Sequence, residues 1–225
     1  MGCSSGPDII QDGLLCCLEA ASKRSYPGTG TTWSDLKGDN NGTLTNSPVF
    51  DTGNGGGFHF DSTDDYINFT SFSASMFPDG ASIFAFLKLE SAIPVGTTRS
   101  GIWRFGNGER SHYPYTNGLA YMTTFRNTRV NSISLSSSVD REKPHVLCIT
   151  TENSGRWKMY QNLELVEDVA AESSVSLWSN NSSRIGSSEN SRGFPGTIYN
   201  VSIYSRALSA DEIRQNYLST KERFA

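Results

Sequence analysis

Residues 193–217, GFPGTIYNVSIYSRALSADEIRQNY, contain two successive hydrophobic periods that together decide the fold. In the first half, a period of two places Tyr199, Val201 and Ile203 on one side of a predicted strand. The residues expected on the opposite side are Ile198, Asn200, Ser202 and Tyr204. This half therefore predicts a long strand with one buried face.

A short amphipathic helix is predicted to follow this strand directly. Ser209 and Glu212 have the spacing of a capping box, in which the hydroxyl accepts an N–H of the first turn and the carboxylate accepts the N–H of the cap residue. The apolar residues expected on the buried side of the helix are Leu208, Ile213, Tyr217 and Leu218. The stretch thus predicts a strand followed by one closing helix.

The rest of the chain consists of strand-length segments separated by polar turns. Residues 81–90 are apolar on both faces for most of their length, which is typical of a central strand covered on both sides. The other predicted strands are residues 13–19, 58–60, 66–69, 119–125, 130–135, 145–151, 157–160 and 183–186. Short strands at this spacing predict an all-β fold, a two-sheet antiparallel β-sandwich with a short C-terminal helix.

Composition limits the classes of partner. The 225 residues carry a formal net charge of -4 and no long basic run, which argues against nucleic acid as a partner. No apolar segment is long enough to cross a bilayer, and the N-terminus lacks the pattern of a secretory signal, so we expect no membrane insertion.

We predict an N-terminal arm over residues 1–12 and one domain over residues 13–225. The four cysteines are expected to be buried thiols, with Cys16 and Cys17 on opposite faces of a strand.

Four blocks of sequence carry a family resemblance. The run RALS at residues 206–209 is the most characteristic, and the other blocks are residues 33–44, 60–67 and 156–162. Together they resemble the laminin-G-like jelly rolls of the concanavalin-A-like lectin/glucanase superfamily. The resemblance implies a concanavalin-A-like jelly roll. In the last block, Leu163 stands where the family usually has Gly in a hairpin turn.

The two ends of the chain resemble a narrower group. DGLL at residues 12–15 and QNY at residues 215–217 look like the single-domain jelly rolls that tailed bacteriophages encode as virion proteins. This resemblance implies a non-enzymatic virion structural protein, either a capsid decoration (cement) protein or a tail-fibre component with a glycan-adhesion role in host attachment. Its partners would be major capsid or tail proteins and further copies of itself in a homo-oligomer, with host-surface glycans as ligands. It would be located in the virion after assembly in the bacterial host cytoplasm. The alternative is a carbohydrate-binding lectin module, which binds glycans either with or without calcium.

The sequence contains no spaced set of catalytic residues. The Glu-x-Asp-x-Glu pattern of glucanases is absent, as is a Gly-x-Ser-x-Gly nucleophile elbow. The nearest acidic cluster has the wrong intervals and lies in a segment predicted to be a turn: Glu164, Glu167, Asp168 and Glu172. The three histidines, His59, His112 and His145, lack zinc-ligand spacing. We therefore expect no catalytic residues and no enzymatic activity.

Calcium is the one cofactor that the sequence suggests. Asp61, Asp64 and Asp65 place three carboxylates within five residues, and oxygen ligands are what a hard cation prefers. Some laminin-G-like relatives hold Ca²⁺ in this way, and no other cofactor is expected. The alternative is a structural turn, in which Asp61 closes the turn and Asp65 caps the next strand.

The aromatic and basic segment 99–117 is a candidate for ligand or subunit contact. Its candidate residues are Trp103, Arg104, Arg110, His112, Tyr113 and Tyr115. Aromatic rings can stack on sugars while the basic side chains donate to hydroxyls. Large side chains in a long loop can also anchor it to the core or contact a neighbouring subunit, and we favour these alternatives.

Overall fold

The computed structural model describes residues 8–69, 72–89, 101–105, 109–112, 120–125, 128–134, 143–170, 183–187 and 193–224, with only the backbone described over 109–134. Within these residues the chain forms two antiparallel sheets and one α-helix, α1 (Ala210–Thr220). The predicted all-β sandwich with a short C-terminal helix is confirmed. None of the helices in these ranges is long and apolar enough to span a membrane.

Sixteen strands are present in the described residues. In chain order they are β1 (Leu14–Glu19), β2 (Thr32–Trp33), β3 (Gly42–Thr45), β4 (Val49–Asp51), β5 (Gly57–Asp61), β6 (Tyr66–Phe69), β7 (Ala81–Leu89), β8 (Gly101–Phe105), β9 (Glu109–His112), β10 (Ala120–Phe125), β11 (Thr128–Ser134), β12 (His145–Thr151), β13 (Arg156–Gln161), β14 (Glu164–Ala170), β15 (Ser183–Ile185) and β16 (Pro195–Tyr204). Short 3-10 turns lie at Gly53–Gly55, Ala74–Met76 and Lys221–Arg223.

The strands divide into two sheets of eight. The first sheet has the order β14-β13-β12-β7-β16-β5-β4, with β1 also paired to β16. The second has the order β11-β10-β9-β8-β15-β6-β3-β2. As predicted from its two apolar faces, β7 is a central strand, flanked by β12 and β16.

The long strand β16 lies at the centre of the first sheet, and all ten of its residues are buried. A register shift between Ile198 and Asn200 forms a bulge at Tyr199. Ile198 therefore packs with Val201 in the core between the sheets, whereas Tyr199 packs with Tyr204 on the outer face. The predicted faces of Ile198 and Tyr199 are wrong, because a strict period of two makes no allowance for a bulge.

Two hydrophobic clusters cover the two faces of the first sheet. The inner cluster fills the space between the sheets and contains Trp33, Phe58, Phe60 and Leu87. The outer cluster lies between the first sheet and the C-terminal residues, and includes Phe84, Phe86, Tyr204, Ile213 and Phe224. Cys16 belongs to the inner cluster and Cys17 to the outer one, and both are free thiols.

Helix α1 is fixed to the first sheet by polar contacts as well as apolar ones. Ser209 caps the helix in the predicted capping box with Glu212. Asn216, which the sequence analysis did not place on the buried side, is 1% exposed and donates to Tyr204 Oη at 2.9 Å. Its Oδ1 accepts from Ile10 N at 2.8 Å, so residues 8–12 of the predicted arm are held against the helix. Residues 1–7 lie outside the described residues.

The acidic segment after β13 forms the edge strand β14, where the sequence analysis predicted a turn. Asp168 lies there in an ion pair with Arg156, with 2.7 Å between Oδ1 and Nε. The hairpin between β13 and β14 turns at Asn162 and Leu163, with φ of 44° and 74°. Leu163 thus adopts the left-handed conformation that glycine usually supplies.

Candidate functional site

A turn at the rim of the sandwich carries the three aspartates of the predicted calcium site. Strand β5 ends at Asp61, which is paired to Pro195 in the first sheet. Strand β6 begins at Tyr66, which is paired to Thr45 in the second sheet. Residues 62–65 therefore take the chain from one sheet to the other. We call residues 61–65 the rim turn.

Hydrogen bonds within the rim turn define its shape. Asp61 Oδ1 accepts from Thr63 N at 2.8 Å, and Asp65 Oδ2 accepts from Asp61 N at 3.2 Å. Ser62 between them has a φ of 66°. Directly after β3, the side-chain amide of Asn46 donates to the carbonyl oxygen of Asp64 at 2.9 Å. The turn is therefore held both internally and by the neighbouring strand.

The segment before β16 packs closely against the other side of the rim turn. A Cβ atom at Gly193 would lie 2.6 Å from the carbonyl carbon of Ser62. Such a distance is far inside van der Waals contact, so glycine is required for this backbone approach. Phe194, the next residue, is fully buried. The rim turn is thus supported by the residues that immediately precede β16.

The three carboxylates converge at this turn. One oxygen from each of Asp61, Asp64 and Asp65 lies within 4.8 Å of the others. Asp61 and Asp64 are exposed, whereas Asp65 is 4% exposed. Burial raises the pKa of the Asp65 carboxyl above its ordinary value, and the nearby charges of Asp61 and Asp64 raise it further, although the bond from Asp61 N acts in the opposite direction.

The donor set fits a calcium ion. In the described part of the chain, no Lys or Arg forms an ion pair with these three carboxylates. After the turn hydrogen bonds are formed, Asp61 Oδ2, Asp65 Oδ1 and both oxygens of Asp64 are left for a cation. Calcium takes six to eight oxygen ligands, commonly including backbone carbonyls and water, so three carboxylates supply about half a shell.

The structure describes only some of the residues of segment 99–117 that the sequence suggested for ligand or subunit contact. Trp103 on β8 is 3% exposed and belongs to the inner cluster, so its indole anchors the strand in the core. Arg104 is half-buried on the same strand. Arg110 and His112 lie on β9, of which only the backbone is described. Tyr113 and Tyr115 lie outside the described residues, so the role of these last four residues stays a prediction.

Sequence reasoning missed a cavity on the outer face of the first sheet. Among the side chains that line it are Cys17, Glu19, Asn200 and Arg223. The available signal was Asn200, a side-chain amide in the middle of a mostly apolar strand. Its burial could not be read from the sequence, because it depends on the C-terminal residues that cover the outer face, where Asn200 lies on the same side of the strand as Tyr204.

Comparisons with known proteins agree with this architecture. The family model of the concanavalin A-like lectin/glucanases superfamily matches residues 60–214, more than half of the chain. A Trypanosoma rangeli sialidase in complex with sialic acid superposes with a TM-score of 0.72 at 15% identity, over 99% of this chain and 35% of the sialidase. The receptor binding domain of botulinum neurotoxin C/D mosaic serotype gives a TM-score of 0.70 at 18% identity, over 95% of this chain and 52% of that one. No curated protein matches the sequence.

The sialidase neighbours correct one prediction. The conclusion that the chain is not an enzyme is wrong, because it was drawn from missing glucanase and hydrolase motifs while sialidases share the fold. The chain spans about a third of the length of these sialidases. At 15–16% identity the likeness shows the fold alone and assigns no catalytic residue to this chain.

Proposed function

We propose that this chain, which belongs to the concanavalin A-like lectin/glucanase superfamily, is a lectin-like module that binds glycans at its calcium-bearing rim turn. The observation that carries the proposal is the convergence of Asp61, Asp64 and Asp65 within 4.8 Å. These carboxylates are gathered on a supported turn at the surface, and no Lys or Arg among the described residues forms an ion pair with them. A structural turn would need only the hydrogen bonds of Asp61 and Asp65.

The chemistry of the site follows from these residues. Asp61, Asp64 and Asp65 would hold the ion, and bound calcium would offer positive charge and open coordination positions to sugar hydroxyls. Asp65 fixes the turn through Asp61 N, so its carboxylate stays oriented before any ligand arrives. The exposed carboxylate of Asp64 is free to adjust its position as the coordination shell is completed.

Sialic acid and sialosides are the first ligands to test. The sialidase that superposes on 99% of this chain was solved with sialic acid bound. The neurotoxin domain with the same fold is a receptor binding domain. Because both likenesses lie below 20% identity, they support the choice of ligand panel and no more than that.

A glycan array tests the proposal. The full chain is applied to an array that includes sialylated and neutral glycans, once with calcium and once with EDTA, beside the variant Asp64→Asn. We expect binding in calcium that is lost with EDTA and in the variant. Absence of binding to every glycan contradicts the lectin role, and undiminished binding in EDTA contradicts the role of the rim turn.

A second candidate is the structural virion role, as a head decoration or tail-fibre protein of a tailed phage. It is supported by the resemblance of residues 12–15 and 215–217 to phage jelly-roll proteins. In the fold, a residue shortly before the first of these segments contacts the second, since Gln215 donates to the carbonyl oxygen of Asp8 at 2.8 Å. Mass spectrometry of gradient-banded particles is expected to find the chain at a fixed stoichiometry to capsid or tail protein. Its absence from such particles contradicts the role.

A further inference from the structure

A cavity of about 800 Å³ lies on the outer face of the first sheet, away from the rim turn. Strands β1 and β16 form its floor, the end of α1 and the following 3-10 turn form one wall, and residues 8–11 and 36–37 form the others. Its volume is that of a small-molecule site. We call it the outer cavity, and define it by Leu14, Cys17, Glu19, Asn200, Leu218 and Arg223.

The floor of the outer cavity contains a buried carboxylate. The side chain of Glu19 is 9% exposed, and Arg223 Nη1 contacts its Oε1 from the 3-10 turn. The side chain of Arg223 is itself 55% exposed. Within the described residues, Glu19 Oε2 accepts no hydrogen bond. A buried carboxylate is stabilised only when its remaining oxygen also finds a donor.

Asn200 provides the second observation. It lies directly opposite Glu19 in the pairing of β1 with β16, and it is 1% exposed. Its Nδ2 donates to the carbonyl oxygen of Leu18 at 3.0 Å, whereas its Oδ1 has no hydrogen-bond partner in the described part of the chain. The unpaired oxygen therefore adds a negative partial charge beside the Glu19 carboxylate.

Charge and shape together select a class of ligand. The charged side chains that line the cavity are three acids and two bases: Asp8, Glu19, Glu222, Lys37 and Arg223. The apolar residues on its walls are Ile9, Leu14, Leu36 and Leu218. This lining combines an acceptor-rich floor with aliphatic walls. It favours a cationic hydrogen-bond donor carried on an apolar stem.

We propose that the outer cavity binds a small primary alkylammonium ligand, whose N–H groups donate to Glu19 Oε2 while its carbon stem packs against Leu14 and Leu218. The site is independent of the proposed lectin function, because its residues belong to the outer face of the first sheet. Glycan binding at the rim turn can therefore fail without affecting it, and the reverse also holds.

Two probes of equal size and opposite charge test the proposal on the full chain. Cyclohexylamine, protonated at neutral pH, and cyclohexanecarboxylate are titrated at the same ionic strength while amide chemical shifts are followed by NMR. We expect saturable binding of the amine and none of the carboxylate. Equal binding of both probes, or no saturable binding of the amine, overturns the proposal.

Variants locate the binding. Glu19→Gln is expected to weaken amine binding about tenfold or more, because a charged hydrogen bond is lost. Leu218→Trp fills the cavity and is expected to abolish binding, whereas Arg214→Trp adds the same side chain to an exposed position of α1 and is expected to leave it intact. If Glu19→Gln does not fold, the two tryptophan variants decide the matter. Amine binding that survives Leu218→Trp overturns the proposal.

Discussion

At the scale of single residues, Gly186 shows how closely the two sheets meet. It follows β15 with a φ of 84°, and a Cβ atom there would lie 2.1 Å from Cε1 of the buried Phe60. We expect Gly186→Ala to lower the free energy of unfolding by about 3 kcal/mol, from left-handed strain and overpacking together. Urea denaturation followed by circular dichroism measures the loss.

Gly30 supplies the matched control for this substitution. It has a similar φ of 96°, but a Cβ atom there would meet nothing within 4 Å. Gly30→Ala therefore adds the backbone strain alone, and we expect a loss of about 1 kcal/mol. If both variants lose the same free energy of unfolding, the Phe60 ring moves aside to accommodate the new methyl group, and the close packing at Gly186 contributes nothing to the loss.

The residue scale also shows where sequence reasoning succeeds and fails. The capping box of Ser209 and Glu212 was predictable because all its partners lie within four residues. The bulge at Tyr199 was not, because it arises from pairing with strands that are distant in sequence. For the same reason the sequence left open whether Trp103 stacks on a ligand or anchors a strand. That choice depends on which face of β8 is turned to the core.

At the scale of elements, α1 is docked by a charged network that depends on pH. Arg206 donates two hydrogen bonds to Glu212, at 2.7 Å and 2.9 Å, and Ser209 N donates to the same carboxylate at 2.8 Å. The Arg206 guanidinium lowers the pKa of Glu212 to about 2. The ionised form is thus favoured in the fold, so its contribution to stability is full above about pH 4.5 and is lost towards about pH 2.

Glu212→Gln tests this network. We expect the variant to be less stable than the parent at neutral pH, and the difference to shrink as the pH falls through the window from about 4.5 to about 2. Denaturant midpoints measured across that range give the result. Glu222→Gln removes an exposed acid beside Lys221 and is expected to have little effect at any pH. A difference between parent and Glu212→Gln that stays constant with pH contradicts the account.

Elements differ in how well their sequences reveal them. Strand β7 was predictable because residues buried on both faces form a continuous apolar run. Strand β14 was mistaken for a turn because an edge strand can carry charge, and Glu164, Glu167 and Asp168 all lie on this last strand of the sheet. The exclusion of an enzyme failed because it rested on the missing motifs of glucanases and serine hydrolases alone.

At the scale of the whole molecule, β16 pairs with strands from distant parts of the chain. Strand β5 pairs with the first half of β16 and β1 with its second half, so the rim turn lies near one end of that strand and the N-terminal residues lie near the other. The three aspartates of the rim turn were predictable as a cluster because all of them lie within five consecutive residues. Their function is the part that the pattern leaves open, because turn closure and calcium binding use the same side chains.

Equilibrium dialysis against radioactive calcium tests the central claim most directly. The full chain is predicted to retain one Ca²⁺ ion, because three converging carboxylates with no Lys or Arg ion pair among the described residues form about half a coordination shell. Asp65→Asn is predicted to lose the ion, whereas Asp39→Asn, an exposed acid elsewhere, is predicted to keep it. Failure of the parent chain to retain calcium, or equal retention by Asp65→Asn, would contradict the claim.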